Sequence, residues 1–390
     1  MFDPSYIELD FDHLKSNREF LASLCKKPCE LSMVVKGNAY GHGVREMVAM
    51  AAQCGVRHFS VYSADEAVEV FEAADSRPEI MIMGSIDNDA IGWAIHNNIS
   101  IYIFDHERLE RAINIAKGLK TKVRVHLELE TGMNRTGMDQ KGLNKALERV
   151  KANAEYVQLV GTCTHLAGAE NRQNFERIRN QIKTFNALRQ QFVQHQVDPG
   201  TIHTSCSAGL LNFPEYNFDR VRSGILHYGF WPNDQTREAF LQRTGLEQSP
   251  LKRVISWKSH IMAIQDVQQN EWIGYGETYR APRNLRIAVV PVGYSHGFDR
   301  SLSNRGSVLV RGHSAPVAGI VNMNCISVDV TDCRGAAPGD EVVLIGKQGE
   351  SEITVSSFSE SLHVLNYELL TRLPRSIPRK IVNNGLPHSS

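Results

Sequence analysis

Between residues 31 and 226 short apolar runs alternate with stretches whose apolar residues recur at i, i+3 and i+4, and nothing else in the chain restricts its fold so tightly. The spacing predicts eight strands: Leu31–Lys36, His58–Tyr62, Ile80–Gly84, Ser100–Phe104, Val123–Leu129, Val157–His165, Thr201–Thr204 and Val221–Leu226. A helix is expected over Phe11–Leu24, before the first strand. Others are expected over Ala64–Ala73, His106–Leu119, Leu143–Val150 and Asn174–Phe192. An open doubly wound sheet usually stops at about five to seven strands, whereas eight strand–helix alternations suit a closed (β/α)8 barrel. Lys36, Arg135, His165, Ser207 and Arg222 fall at or just past the C-terminal ends of these strands. That is the face on which barrel enzymes build their sites.

The rhythm changes near residue 235. After a polar connector, Asn233–Pro250, strands recur at hairpin-like spacing: Val254–Ile264, Leu285–Val292, Ser307–Arg311, Ala315–Val321, Ile326–Val330 and Glu341–Ile345. Glycine, asparagine or proline marks the connections between them. The expected organisation is α/β overall: an N-terminal TIM barrel, residues 1–235, then a mostly β domain, residues 236–390. A helix around Val355–Leu370 and a Pro/Arg tail close it.

Lys+Arg and Asp+Glu are both 43 in a chain of 390 residues, which argues against a nucleic-acid-binding tail or a polybasic membrane anchor. The start, Met1-Phe2-Asp3-Pro4-Ser5-Tyr6-Ile7, carries an acid and no apolar core, so it does not read as a secretory signal. No apolar run approaches the roughly 18 residues that span a bilayer. The seven cysteines are odd in number and include no Cys-x-x-Cys pair, unlike a disulfide framework or a zinc site. A cytoplasmic protein without a metal is expected.

The chemistry-bearing segment is Val34-Val35-Lys36-Gly37-Asn38-Ala39-Tyr40-Gly41-His42-Gly43. An apolar strand delivers a lysine to a turn with three glycines. A lysine at the mouth of an apolar pocket has its ammonium form disfavoured, which leaves a fraction of free amine able to condense with an aldehyde. Four further segments stand in order behind it: Thr131-Gly132-Met133-Asn134-Arg135-Thr136-Gly137, Val221-Arg222-Ser223-Gly224-Ile225, Trp272-Ile273-Gly274-Tyr275-Gly276 and Pro291-Val292-Gly293-Tyr294.

Together these segments resemble the alanine racemase family. The likeness runs from Ile7 to Arg375, and the lysine segment differs from the family's VVKANAYGHG only at Gly37. The resemblance implies pyridoxal 5'-phosphate (PLP) as cofactor, carried on Lys36, and racemisation of an amino acid by two bases. Lys36 would remove the proton of the D-enantiomer and Tyr275 that of the L-enantiomer. Tyrosine is a weak base at neutral pH, and the family histidine matched by His165 links the tyrosine to Arg222. Arg222 faces the pyridine nitrogen. Because a guanidinium keeps its own proton, it leaves the ring a shallower electron sink than a carboxylate would, favouring racemisation over transamination. Arg135 matches the arginine beside the phenolic oxygen and the substrate carboxylate. Ser207, Tyr40, Tyr367 and the backbone N–H groups of Gly224 and Ile225 match phosphate contacts. Tyr294 and the N–H of Met323 match substrate contacts.

Four departures accompany the likeness. Glu128 stands where many members carry a carbamylated lysine, and its negative charge is expected to orient Arg135. Ile320 replaces an arginine at the site's mouth, Asn324 an aspartate, and Cys206 an asparagine. Alanine is the expected substrate, with serine or a broader set as the alternative. A PLP decarboxylase or aldolase and a non-catalytic PLP-binding barrel are the other classes in view. The family also implies a homodimer with each site shared between Lys36 of one chain and Tyr275 of the other.

Overall fold

The computed structural model describes residues 3–26, 28–356 and 366–383. The chain divides into two compact units, one of Met1–Asp12, Gly37–Glu46 and Arg253–Ser390, the other of His13–Lys36 and Met47–Lys252. The first strand, β1 (Ser5–Asp10), belongs to the former unit.

In the second of these units all eight expected strands form: β2 (Glu30–Val34), β3 (His58–Val61), β4 (Glu79–Ile82), β5 (Ser100–Ile103), β6 (Val123–Glu128), β7 (Val157–Cys163), β8 (Thr201–His203) and β9 (Arg220–Ser223). They are parallel, in the order β8-β7-β6-β5-β4-β3-β2-β9. The β8–β9 seam is drawn together by single bonds, Asp219 N–H to Ile202 O at 3.0 Å and Arg222 N–H to Ser205 O at 3.0 Å. The result is a barrel-like sheet ringed by helices. Helices Phe11–Leu24, Ala64–Ala73 and His106–Leu119 have the bounds the periodicity predicts. Each buries one face, apolar in His106–Leu119 and including Asn17 in Phe11–Leu24 and Glu66 in Ala64–Ala73. On Gln140–Ala152 it is an apolar stripe, Leu143, Ala146, Leu147 and Val150, the i, i+3, i+4, i+7 set. Asp139 starts this helix by accepting from Gly142 N at 2.7 Å. Emptying its stripe with Leu147→Ala would cost about 2–5 kcal/mol.

Two expectations fail here for identifiable reasons. The last strand stops at Ser223, because Gly224 (φ −107°, ψ −97°) turns the chain into a 3₁₀ turn, Ile225–Tyr228. The polar connector contains a helix, Asp234–Thr244, capped by Asn233 and ended by Gly245 at φ +72°. Only Thr236 and Phe240 are buried along it, so no apolar stripe advertised the helix.

The other unit is β-rich. Strands β10 (Ile255–His260), β11 (Ala263–Val267), β12 (Leu285–Val290), β13 (Ser307–Val310), β14 (His313–Pro316), β15 (Ile326–Asp329), β16 (Glu341–Gln348), β17 (Ser351–Ile353) and β18 (Arg379–Val382) build two sheets. One has the order β14-β13-β16-β10-β1-β18 with β17 on β16, and the other is β11-β12-β15. The expected run Val254–Ile264 is broken into β10 and β11. Ala315–Val321 is strand only at its start, paired back on β13 through a two-residue turn, Arg311-Gly312, with both residues at positive φ. β1 is a strand outside the expected set, and its burial alternates at every residue. Its partners, β10 antiparallel and β18 parallel, lie at the far end of the chain. Of the expected closing helix, the stretch 357–365 lies outside the described residues, and Asn366–Thr371 is helical.

Candidate active site

Beside a small apolar cluster of Met81, Tyr102 and Cys163, the barrel strands bury His58, Ser60, Ser100, His126, Glu128, His203 and Arg222, where branched aliphatic layers are usual in this architecture. Arg222, on β9, is buried and makes four bonds: one nitrogen reaches His203 Nδ1 and His203 O (2.8 Å), the other Thr164 O (2.8 Å) and Thr204 O (3.1 Å). The chain continues from His203 Nε2 to His126 Nδ1 at 3.0 Å, and from His126 Nε2 to Ser100 Oγ at 3.2 Å. Burial opposes the Arg222 charge. Nearby Tyr102, Cys163, Cys206 and Glu128 outweigh it and hold the pKa above that of an ordinary guanidinium. Gly161 is required where this chain passes, because a Cβ there would lie 2.3 Å from His126 Nδ1.

Lys36 follows β2 at the barrel mouth. The residue is solvent-accessible, yet its ammonium form is disfavoured: burial of the amine first, then the Arg135 guanidinium, lower its pKa from 10.5, against Glu66 and Cys206. His165, just past β7, is held neutral. Burial, then the charges of Arg222, Arg135 and Lys36, push its pKa down to about 3. Four expected residues thus converge. The expected direct link from His165 to Arg222 is not made; the guanidinium takes His203 instead. Ser207 Oγ accepts from Gly224 N–H at 3.0 Å, which brings two of the expected anion contacts together, with buried Ile225 next in the chain. Cys206 pairs in a parallel bridge with Arg222, directly before Ser207.

Arg135 is exposed, and no hydrogen bond or ion pair engages its guanidinium among the described residues. Glu128 therefore does not pair with it as expected. Its carboxylate accepts from Thr136 Oγ1 at 2.8 Å, and burial raises its pKa against that bond and the charges of Arg222 and Arg135. Glu130 shapes the turn. Its side chain accepts from the backbone N–H groups of Gly132, Met133 (2.8 Å) and Asn134 (2.9 Å). Burial would raise the Glu130 pKa, and the donors, with Arg135 N–H, bring it below 4.5. Sequence reading missed the parts played by His203, His126 and Glu130. Alternation along β6 does put Arg124, His126, Glu128 and Glu130 on one face, but it does not say that His126 bonds His203 or that Glu130 holds the turn.

In the β-rich unit the segment after Lys36 takes an unusual form. Gly37, Asn38, Ala39, Tyr40 and Gly41 all have φ between +51° and +80°, a left-handed helical turn in which Gly41 N–H bonds Gly37 O at 3.0 Å. L-residues resist this conformation by about 1–2 kcal/mol each. Tyr40 meets Tyr367 edge to face at 6.5 Å. Tyr275 sits between Gly274 (φ +72°) and Gly276 (φ +77°), where a Cβ at Gly276 would come within 3.2 Å of Ile320 Cδ1, and is 74 % exposed. Tyr294 N–H bonds Asn322 O at 3.0 Å and Ser295 bonds Met323 O, so the two expected substrate-side segments adjoin. Asn324 ties this pair by donating to Ser295 Oγ at 3.1 Å. Among the described residues no helix is long and apolar enough to cross a membrane.

A parallel eight-stranded barrel with a lysine at its mouth and an arginine-anchored floor, joined in one chain to a β domain, is the architecture of the fold-type III PLP enzymes. Residues 9–232 match the N-terminal domain of alanine racemase, and residues 254–381 its C-terminal domain. The chain belongs to the alanine racemase family. It is 34 % identical to the alanine racemase of Leptospira interrogans, over 97 % of this chain and 96 % of that one. To the alanine racemase of Symbiobacterium thermophilum it is 33 % identical over 96 % of each. Among solved structures it resembles Bacillus anthracis alanine racemase with bound L-Ala-P, at TM-score 0.90 and 28 % identity over 99 % of this chain and 97 % of that one. It also resembles the Bartonella henselae enzyme with covalently bound pyridoxal phosphate, at 0.82 and 25 % over 97 % and 99 %.

Proposed function

We propose that this protein interconverts L- and D-alanine with PLP held by Lys36, Lys36 and Tyr275 acting as bases on opposite faces of the substrate. PLP, when bound, weakens the bond between an amino acid's Cα and hydrogen. The residues present fit that group. Lys36 offers an amine whose pKa is already lowered, so it can bond the aldehyde carbon and, once free, hold a proton at Nζ. The Ser207 hydroxyl and the Ile225 N–H suit phosphate oxygens, the Gly224 N–H, which bonds Ser207 Oγ here, would turn to the phosphate with them, and Tyr40 and Tyr367 are further contacts. Arg135 is left with its guanidinium open for an anion, here the substrate carboxylate, with Tyr294 and Met323 N–H as the other substrate contacts. Tyr275 takes or returns the other proton at Oη.

The observation that carries this reading is the environment of Arg222. Its bonding partners are an imidazole and three carbonyls, and it keeps its own proton. Beside the pyridine nitrogen it would donate a hydrogen bond without transferring a proton, which favours return of the proton at Cα over decarboxylation or transamination. In one chain Tyr275, Tyr294 (40 % exposed) and Met323 (55 % exposed) lie open to solvent. A proton-transferring tyrosine needs cover, in keeping with a homodimer whose sites are shared. Cytoplasmic residence is part of the same reading.

The test is the initial rate of loss of optical rotation for a panel of L-amino acids, with CO2 release measured in parallel. Alanine should be fastest, with serine slower and no CO2. CO2 release without racemisation would replace this reading by the decarboxylase. Borohydride treatment should fix the cofactor to Lys36, and the Lys36→Ala protein should lose the adduct; label found on another lysine refutes the assignment.

A further inference from the structure

Helix Phe175–His195 buries one face against the barrel, and that face contains a glutamine among Ile178, Ile182, Phe185 and Leu188. Gln181 is 1 % exposed. An amide in such a stripe is costly unless every donor and acceptor is met. All are met, and the partners lie on two different loops. Gln181 Oε1 accepts from Ala167 N–H at 2.8 Å. Its Nε2 donates to His165 O at 2.9 Å and to Thr131 Oγ1 at 3.2 Å.

The linkage goes further on both sides. Thr131 Oγ1 shares a 2.7 Å hydrogen bond with Thr164 Oγ1, so the two loops are joined directly as well as through the amide. Thr164 O accepts from Arg222 at 2.8 Å. One turn before Gln181 on the helix, Arg177 donates to Gly132 O at 2.7 Å. The turn from Thr131 leads to Arg135, and the loop from Thr164 carries His165. Among the described residues neither the Arg135 guanidinium nor the His165 ring has a hydrogen-bond partner of its own, so their placement depends on the backbone that bears them.

We infer that Gln181 is a positioning residue, a buried clamp that sets the Arg135-bearing turn and the His165-bearing loop at a fixed spacing across the barrel mouth. An amide is the side chain suited to this. It presents one acceptor to an N–H and two donors to two oxygens, where glutamate offers no donor when ionised and methionine offers only a weak acceptor. Gln181 touches neither substrate nor cofactor in this account. It acts through the loops.

The clamp deepens the racemase reading, and its test stands apart from that reading. Amide hydrogen exchange would be followed in the full-length protein for peptides 131–137 and 164–169, with 106–119 as reference. Gln181→Met should make both loop peptides exchange about tenfold faster while the reference is unchanged. Thr131→Val should loosen chiefly 131–137. Gln181→Glu keeps an acceptor for Ala167 N–H and loses both donors, so at pH 8 it should loosen 131–137 and leave Ala167 protected. Should Gln181→Met fail to fold, the glutamate variant carries the test alone. Uniform acceleration of all three peptides, or no change at 164–169 in Gln181→Met, would overturn the clamp. With alanine as substrate, Gln181→Met should raise KM as well as lower kcat. A wild type without racemase activity would remove the proposed function and leave the exchange result intact.

Discussion

Arg222 donates a guanidinium nitrogen to the carbonyl of Thr164 at 2.8 Å, tying β9 to the residue that follows β7. Its other terminal nitrogen holds His203, which in turn holds His126, so one cation organises three strands of the barrel interior. The arrangement fixes a guanidinium without a carboxylate.

Arg222→Lys should therefore be more than a conservative change. A single ammonium cannot reach His203 and the carbonyls of Thr164 and Thr204 in one fork-like geometry. Losing two or more buried charge-assisted bonds should cost about 3 kcal/mol. Urea denaturation should show the loss; an unchanged midpoint would mean that the network contributes nothing net.

Stability should fall in mild acid. His42 and His227 are fully buried, and burial lowers their pKa values from 6.5 to about 3 and about 4. The folded state therefore binds fewer protons than the unfolded chain between those values and 6.5. Their contribution is complete above pH 6.5 and is lost as pH falls towards 4. Each contributes about 1.4 kcal/mol per pH unit in that window, so the pair should remove roughly 3 kcal/mol between pH 6 and pH 5. His58, His126 and His203, shifted in the same direction by burial, act with them. Chemical denaturation at the two pH values checks this, and a flat profile would contradict it.

The two glycines that bracket the left-handed turn should differ sharply. At Gly41 a Cβ would lie 1.8 Å from Leu370 O, a backbone atom that cannot step aside. Gly41→Ala should cost several kcal/mol, on the order of 4, from clash and positive φ together. At Gly37 the nearest atom is Thr371 Cγ2 at 3.1 Å, with φ +64°. Gly37→Ala, which restores the family's usual residue, should cost about 1 kcal/mol. Thermal unfolding of the two variants gives the order, and equal midpoints would refute it.

The resemblance puts Glu128 where many family members carry a carbamylated lysine, which predicts that wild-type turnover is indifferent to bicarbonate removal. Burial raises the Glu128 pKa, so ionisation costs stability as pH rises through that raised value. Glu128→Gln should slow turnover, yet match the wild type in stability at pH 4 and exceed it at pH 8. A bicarbonate-dependent wild type, or a variant less stable at pH 8, would defeat this account.

Shared sites can be tested by complementation. Lys36→Ala and Tyr275→Phe proteins should each be nearly inactive. Co-refolded at random, about half the dimers are mixed and each has one intact site, so roughly one quarter of the sites should work. No recovery from demonstrably mixed dimers would place both bases in the same chain.

Much of the barrel was legible because its signals are local. A parallel strand buried on both faces reads as a short apolar run, and a helix on its outside repeats every 3.6 residues. Phe11–Leu24, Ala64–Ala73 and His106–Leu119 could thus be bounded from the chain alone. The lysine segment and the arginines were visible as motifs at the ends of those strands. The helix after Asn233 was not, since it buries too little to leave a pattern.

Sequence by itself thus determined the class of fold, the order of its elements and which side chains arrive at the barrel mouth. Only the tertiary structure decided what each of them touches. β1 pairs with β10 and β18 across most of the chain's length, Arg222 takes His203 where His165 was expected, Glu128 takes Thr136 where Arg135 was expected, and Gln181 joins two loops from a helix expected only from its apolar spacing. Periodicity and turn chemistry are properties of neighbouring residues, whereas closing a barrel brings distant polar groups into one water-poor space. There each must find a partner, and position in the sequence does not say which.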